Sequence, residues 1–252
     1  MMPDASQLTP AYFKIQSERV ASAREKIAGR PATVSNGRQI PTDGSLPIGV
    51  GRRLDASVMF LDISGFSNRP SETVSDQENL LRILSFFFTE MIRIVEDYGG
   101  VVEKNTGDGL MAYFVRDSTP TTEQHRALAA ALTMFHATTY LINPVIRASN
   151  IDELDFRICI DHGPITVAEV GAAQRFHGIV AIGTTANIAS KMLSHAAPNT
   201  ILLGANQCNG IPVSWRNNYL EIETLDTGWV YTKTNNPYPF YRYNGRWKTS
   251  PS

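Results

Sequence analysis

The chain predicts an α+β fold of the split βαβ, ferredoxin-like kind, with an antiparallel-rich sheet and flanking helices. Two observations carry this. The first is pattern order. Short apolar runs at 58–61, 101–105, 110–114, 156–160, 165–170, 176–182 and 201–203 alternate with helical periodicities at 76–98, 123–145 and 184–193, which reads β-α-β-β-α-β-(β)-α-β. The second is turn chemistry. Gly107-Asp108-Gly109 between two of the runs is a hairpin signal, and Asp161-His-Gly-Pro164 is expected to join two further strands.

The first element is modest. Ala11, Phe13, Ile15, Val20, Ala23 and Ile27 among charged positions predict an amphipathic helix over 10–28. Residues 29–51 are punctuated by Gly and Pro and read as a linker or an ordered arm. The expected division is therefore 1–51 as helix and arm, 52–243 as the folded domain and 244–252 as a tail. In the helix over 76–98, Leu80, Leu81, Ile83, Leu84, Phe87, Phe88, Met91, Ile92 and Val95 are expected to form an apolar face that stops at Gly99-Gly100, and Phe86 to Phe88 read as core. Ser67, Ser71 and Ser75 are its candidate caps. The helix over 123–145 should end near Asn143-Pro144, and the one over 184–193 should be capped by Thr184 or Thr185. His162 reads as a turn or rim residue, and residues 219–243 as a final antiparallel ribbon.

Composition narrows the function classes. Of 252 residues, 42% are hydrophobic, enough for a packed core. The net charge of −1 supplies no basic field for nucleic acid or a polybasic membrane surface. No apolar run approaches the roughly 20 residues that span a bilayer, and no signal-peptide pattern opens the chain. The two cysteines, Cys159 and Cys208, have no ligand-like spacing, so a reducing cytoplasm is expected.

Two carboxylates stand out. Asp62 ends the apolar run Val58-Met-Phe-Leu61 and is followed by Gly65 in a tight turn before a helix. Free N–H groups in such a turn favour phosphate, and an adjacent carboxylate could hold a divalent cation. Asp108 sits at a hairpin tip. If the two strands are neighbours, both carboxylates can reach a common cation.

With these residues the chain resembles the class III nucleotidyl cyclases. Phe60-Leu-Asp62-Ile-Ser-Gly65-Phe66, Lys104-Asn-Thr-Gly107-Asp108 and Gly183-Thr-Thr-Ala-Asn187-Ile-Ala189-Ser-Lys191 match that family's three hallmarks in order and spacing over about 54–205. The resemblance implies a cyclase homology domain that turns a nucleoside triphosphate into its 3′,5′-cyclic monophosphate and diphosphate. It implies two divalent cations, Mn²⁺ or Mg²⁺, on Asp62, Ile63 and Asp108. It implies triphosphate contacts from Ile63, Ser64, Gly65, Phe66 and Ser67, with Lys233 from the C-terminal ribbon. Asn187 would orient the ribose, and Lys191 stands where the family has an arginine, keeping charge without the fork. The base-reading pair falls on Lys104 and Val180. An apolar second member departs from the purine cyclases and looks like the pyrimidine cyclases of bacterial antiphage defence, whose product activates a separate effector. Lys104 offers only donors, so UTP is expected ahead of CTP, with Glu103 turned to the opposite strand face. The family's half-sites meet across a homodimer. Adenylate cyclase and, from another class, a non-catalytic nucleotide-binding module are the competing expectations.

Overall fold

The computed structural model describes residues 33–36, 47, 50–105, 107–173, 176–231 and 233–247; the helix expected over 10–28 and most of the arm lie outside them. Among the described residues one sheet contains nine strands: β1 (Thr33–Asn36), β2 (Val50–Ile63), β3 (Val101–Asn105), β4 (Gly109–Val115), β5 (Phe156–Ala173), β6 (Phe176–Ile182), β7 (Ile201–Gly204), β8 (Leu220–Ile222) and β9 (Phe240–Tyr243). The order is β3-β4-β2-β5-β7-β9-β8, with β1 beside β2 and β6 beside β5. Only β1 with β2 and β5 with β7 run parallel, so the sheet is antiparallel-rich as expected. The helices are α1 (Val74–Asp97), α2 (Glu123–Ala137), α3 (Asn143–Ala148), α4 (Thr184–Met192), α5 (Ala205–Cys208) and α6 (Val213–Tyr219). None is long and apolar enough to cross a membrane.

The period-2 alternation of strand side chains divides the core into two layers. Met59, Leu61 and Ile63 of β2 join Phe87, Met91, Leu128 and Phe135 under α1 and α2. Ala56 and Val58 face the other way, with Ala186, Ala189 and Met192 of α4. A strand buried on both faces reads as a continuous apolar run, which is why 58–61 shows no alternation. Phe156 is the centre of the first layer, stacked on Phe135 at 4.2 Å and edge-on to Phe87 at 5.4 Å.

Several elements depart from expectation. β5 runs unbroken through Asp161-His-Gly-Pro164, pairing Val58↔Asp161, Ser57↔His162, Ala56↔Gly163 and Asp55↔Pro164. The long β2 ladder offers these backbone groups partners, so the turn-forming residues stay extended. His162 is accordingly a strand residue, 3.0 Å from Glu123. The helix over 123–145 passes its Asn-Pro. α2 widens into a π-turn, Thr138–Ile142, and α3 then starts with Pro144 in its first turn, where no N–H is required. The α1 cap is Thr73, in a capping box with Asp76, and none of the three serines. Gly183 is the N-cap of α4, without a side-chain bond, and the Thr185 hydroxyl donates to the Pro164 carbonyl instead. The C-terminal ribbon is reduced to β8, β9 and a bridge between Val230 and Pro237, preceded by the unexpected short helices α5 and α6.

Removing the stacked ring should leave a cavity that this layer cannot close. Phe156→Ala is expected to cost about 3–5 kcal/mol, against about 0.5 kcal/mol or less for Leu81→Ala on the exposed side of α1. Urea unfolding of both variants checks the contrast.

Candidate functional site

The central strand carries Asp62 to its end on the face shared with Val58 and Phe60. There its cross-strand neighbours are Gly109 of β4 and Arg157 of β5. The next N–H along, that of Ile63, donates to the Asp108 carbonyl at 2.9 Å. Asp62 and Asp108 therefore start from adjacent strand ends, the neighbour relation the hairpin reading required. Arg157 was not singled out in the sequence, although an arginine entering an apolar run is a signal. It donates Nε at 2.9 Å and Nη2 at 2.7 Å to Asp62 Oδ2, and Nη1 to the Ala196 carbonyl. Both contacts fall on one carboxylate oxygen, and Oδ1 is the one the guanidinium does not use.

The turn after Asp62 is narrower as a phosphate cradle than expected. Of the N–H groups from Ile63 onward, Ile63 is taken by Asp108 and Ser64 by the Asp155 carbonyl at 2.8 Å. Among the described residues no acceptor is found for those of Gly65 and Phe66. Gly65 takes φ 67° and Gly107 φ 94°, and a Cβ at either would meet nothing within 4 Å. The glycines answer a backbone requirement, and the space beside both turns is open. Among the described residues the buried Ser64 hydroxyl has no hydrogen-bond partner. Among the described residues no group of three or more His, Cys, Asp or Glu side chains could hold a metal. Two carboxylates with a neighbouring carbonyl nevertheless form a hard-oxygen set. That suits a Mg²⁺- or Mn²⁺-like cation, which keeps waters and takes its remaining ligands from substrate phosphates.

The other expected residues lie apart. In α4, Thr185, Ala186, Ile188, Ala189 and Met192 are buried against the sheet, so Asn187 and Lys191, four residues apart, are exposed on the outer side. Val180 of β6 is half-buried opposite Ala168 of β5. Lys104 lies on β3, opposite Met111, with β4, β2 and β5 between it and β6. Sheet register does not make the two base-reading positions neighbours within one chain, and the Lys104 side chain lies outside what is described. The register passes from Val102↔Ala112 to Lys104↔Met111, so Glu103 is the extra residue of a β-bulge. The alternation expected to turn Glu103 away from Lys104 does not hold across a bulge.

Lys233 is exposed in a turn closed by the Tyr231 N–H on the Asn236 carbonyl. That turn is tied down by Tyr238, whose hydroxyl donates to Asp161 Oδ1 at 2.6 Å and accepts from the Asn206 N–H. Burial pushes the Asp161 carboxyl up to about 7, against the lowering effect of the Tyr238 bond. Asp161 was expected only as a turn residue.

Comparison with known proteins agrees with this geometry. Residues 50–212 match the model of the adenylate and guanylate cyclase catalytic domain. A uridylate cyclase from Rhodovulum sp. (strain MB263) is 23% identical over 164 residues, 62% of this chain and 65% of the relative. The chain thus spans just under two thirds of that relative's length. The guanylyl cyclase Cya2 superposes with a TM-score of 0.66 at 17% identity, over 79% of this chain and 95% of its own. The adenylyl cyclase CyaB from P. aeruginosa gives 0.61 at 24% identity, over 79% and 97%. These likenesses establish the fold.

The buried Asp161 generates a pH signature. Its carboxyl titrates higher in the folded protein than the ordinary 3.8, near 7, so the folded state holds the proton more tightly. Its contribution is full at low pH and is lost as pH rises from about 4 to about 7. Asp161→Asn should flatten that decline, read as urea midpoints at about pH 5 and about pH 8. An equal decline in the variant would assign the effect to other groups.

Proposed function

The chain belongs to the adenylate and guanylate cyclase catalytic domain family, and from that premise we propose that it cyclises a nucleoside triphosphate, with UTP preferred. The observation that carries the reading is the placement of Asp62 and Asp108 on adjacent strand ends, beside a turn whose Gly65 and Phe66 N–H groups have no acceptor among the described residues. The reaction is an intramolecular phosphoryl transfer. The ribose 3′-oxygen bonds to the α-phosphorus, the bond to the β-phosphate oxygen breaks, and diphosphate leaves. Asp62, Asp108 and the Ile63 carbonyl would hold two divalent cations, which when bound supply acidification of the 3′-hydroxyl and neutralisation of leaving charge. The Gly65 and Phe66 N–H groups bind phosphate oxygens, with Ser67 and Lys233 at the rim. Arg157 keeps the Asp62 carboxylate in one orientation. Asn187 orients the ribose, and Lys191 supplies positive charge to the transferring phosphoryl group.

The homodimer implied by the family resemblance is supported by the exposure of these groups. Asn187 and Lys191 are exposed on the side of α4 away from their own sheet, so a second copy of the chain would bring them to the carboxylates of its partner. For the base, Lys104 donates to a uracil carbonyl, and the 23% identical uridylate cyclase supports that choice. Val180 would supply an apolar wall. The bulge at Glu103 favours CTP as the second reading, since a carboxylate can accept from the cytosine amino group. A cyclic pyrimidine nucleotide read by a separate effector, in cytoplasmic antiphage defence, is the role proposed for the product.

Purified protein with UTP, CTP, ATP or GTP and Mn²⁺ should release cyclic UMP with the highest kcat/KM, about tenfold or more above the rest. ATP in first place would sink the pyrimidine assignment, and CTP in first place would hand the base contact to Glu103. Bound nucleotide with no cyclic product would leave a binding module.

Asp62→Ala and Asp108→Ala should each abolish product, and undiminished turnover in either removes the carboxylate reading. Mixing Asp62→Ala with Asn187→Ala chains should recover activity, because one of the two sites in the mixed dimer is whole. No recovery despite demonstrated subunit exchange counts against shared sites.

A further inference from the structure

The turn that offers its N–H groups to phosphate is held at both ends by one loop. At its start the Ser64 N–H donates to the Asp155 carbonyl at 2.8 Å. At its end Arg69, which follows the 3-10 turn Phe66–Asn68, donates Nη1 to the Asp152 carbonyl at 3.0 Å and Nη2 to the Glu153 carbonyl at 2.6 Å. Between these anchors lie only Gly65 to Asn68, closed by the Asn68 and Arg69 N–H groups on Gly65 and Phe66. The Arg69 backbone is extended, at φ −74° and ψ 142°, the conformation that the following Pro70 imposes. The side chain is thereby aimed by the chain itself.

The loop is a firm support. Leu154 is buried, its N–H donates to Asn143 Oδ1 and its carbonyl accepts from Asn143 Nδ2, each at 3.0 Å. Asp155 Oδ1 accepts from Asn199 Nδ2 at 2.8 Å. Two residues beyond Asp155, the same backbone carries Arg157 onto Asp62. Loop 152–155 therefore sets the turn and the carboxylate against each other.

We propose that Arg69 is a positioning residue for triphosphate recognition: its guanidinium locks the Gly65–Asn68 turn in the conformation that presents the Gly65 and Phe66 N–H groups. The proposal rests on the cyclase reading above. The side chain must be arginine, because a planar fork spans two successive carbonyls where an ammonium would serve one. With the lock released, the turn would have to be ordered by the ligand, at the expense of affinity.

The test uses the full chain, wild type against Arg69→Met and Arg69→Lys, with three readouts. Amide exchange at 64–68 should quicken in Arg69→Met while 58–61 in the core of β2 stays protected. Inorganic tripolyphosphate with Mn²⁺, titrated by calorimetry, should bind about tenfold more weakly, and Arg69→Lys should recover part of the loss. KM for the nucleotide should rise more than kcat falls. Unchanged exchange at 64–68 or unchanged tripolyphosphate affinity in Arg69→Met overturns the clamp. Tripolyphosphate that fails to bind the wild-type chain, with no cyclic product from any nucleotide, instead removes the functional reading on which it rests.

Discussion

The site depends on the antiparallel ladder between β2 and β5. It runs without a break through thirteen register pairs, from Gly51↔Ala168 to Ile63↔Phe156. A slip of one residue in such a ladder would carry every side chain to the other face. Met59, Leu61 and Ile63 would leave the layer under α1 and α2, and Asp62 would lose Arg157. Length and burial together exclude that slip. The ladder therefore sets the distance between carboxylate and guanidinium more firmly than their own attraction does.

That attraction is moderate. The Asp62 and Arg157 side chains are 23% and 29% exposed, so water screens the pair. Both donors fall on one oxygen, and the arrangement orients the carboxylate without filling its coordination. Arg157 offsets the charge that Asp62 brings to its strand end.

The glycine turns show how backbone requirement and chemistry coincide. Gly65 and Gly107 adopt positive φ in open space, so each reverses the chain tightly while leaving the space beside its turn open. The Ile63 and Ser64 N–H groups, spent on Asp108 and Asp155, fasten the turn to the sheet and to loop 152–155. What looked like four interchangeable donors is two structural bonds followed by two groups with no acceptor among the described residues. The same economy appears at Tyr238, which anchors the Lys233 turn through a carboxylate buried in β5.

The sequence by itself determined most of the order of elements, the two aspartates, the glycine turns and the helix bearing Asn187 and Lys191. All of these rest on local rules: strand and helix periodicity, and the few residues that tolerate positive φ. Only the tertiary structure decided that Asp161-His-Gly-Pro164 stays extended, because the partner strand supplying its hydrogen bonds lies a hundred residues away in the chain. The partners of Arg157, Arg69 and Asp161 were likewise not legible, since Asp62, loop 152–155 and Tyr238 come from distant segments. Nor could alternation foresee the bulge at Glu103, where β3 must fit the register of β4. A local pattern states which backbone conformations a segment prefers; which polar groups meet is decided by the packing that brings separate segments together.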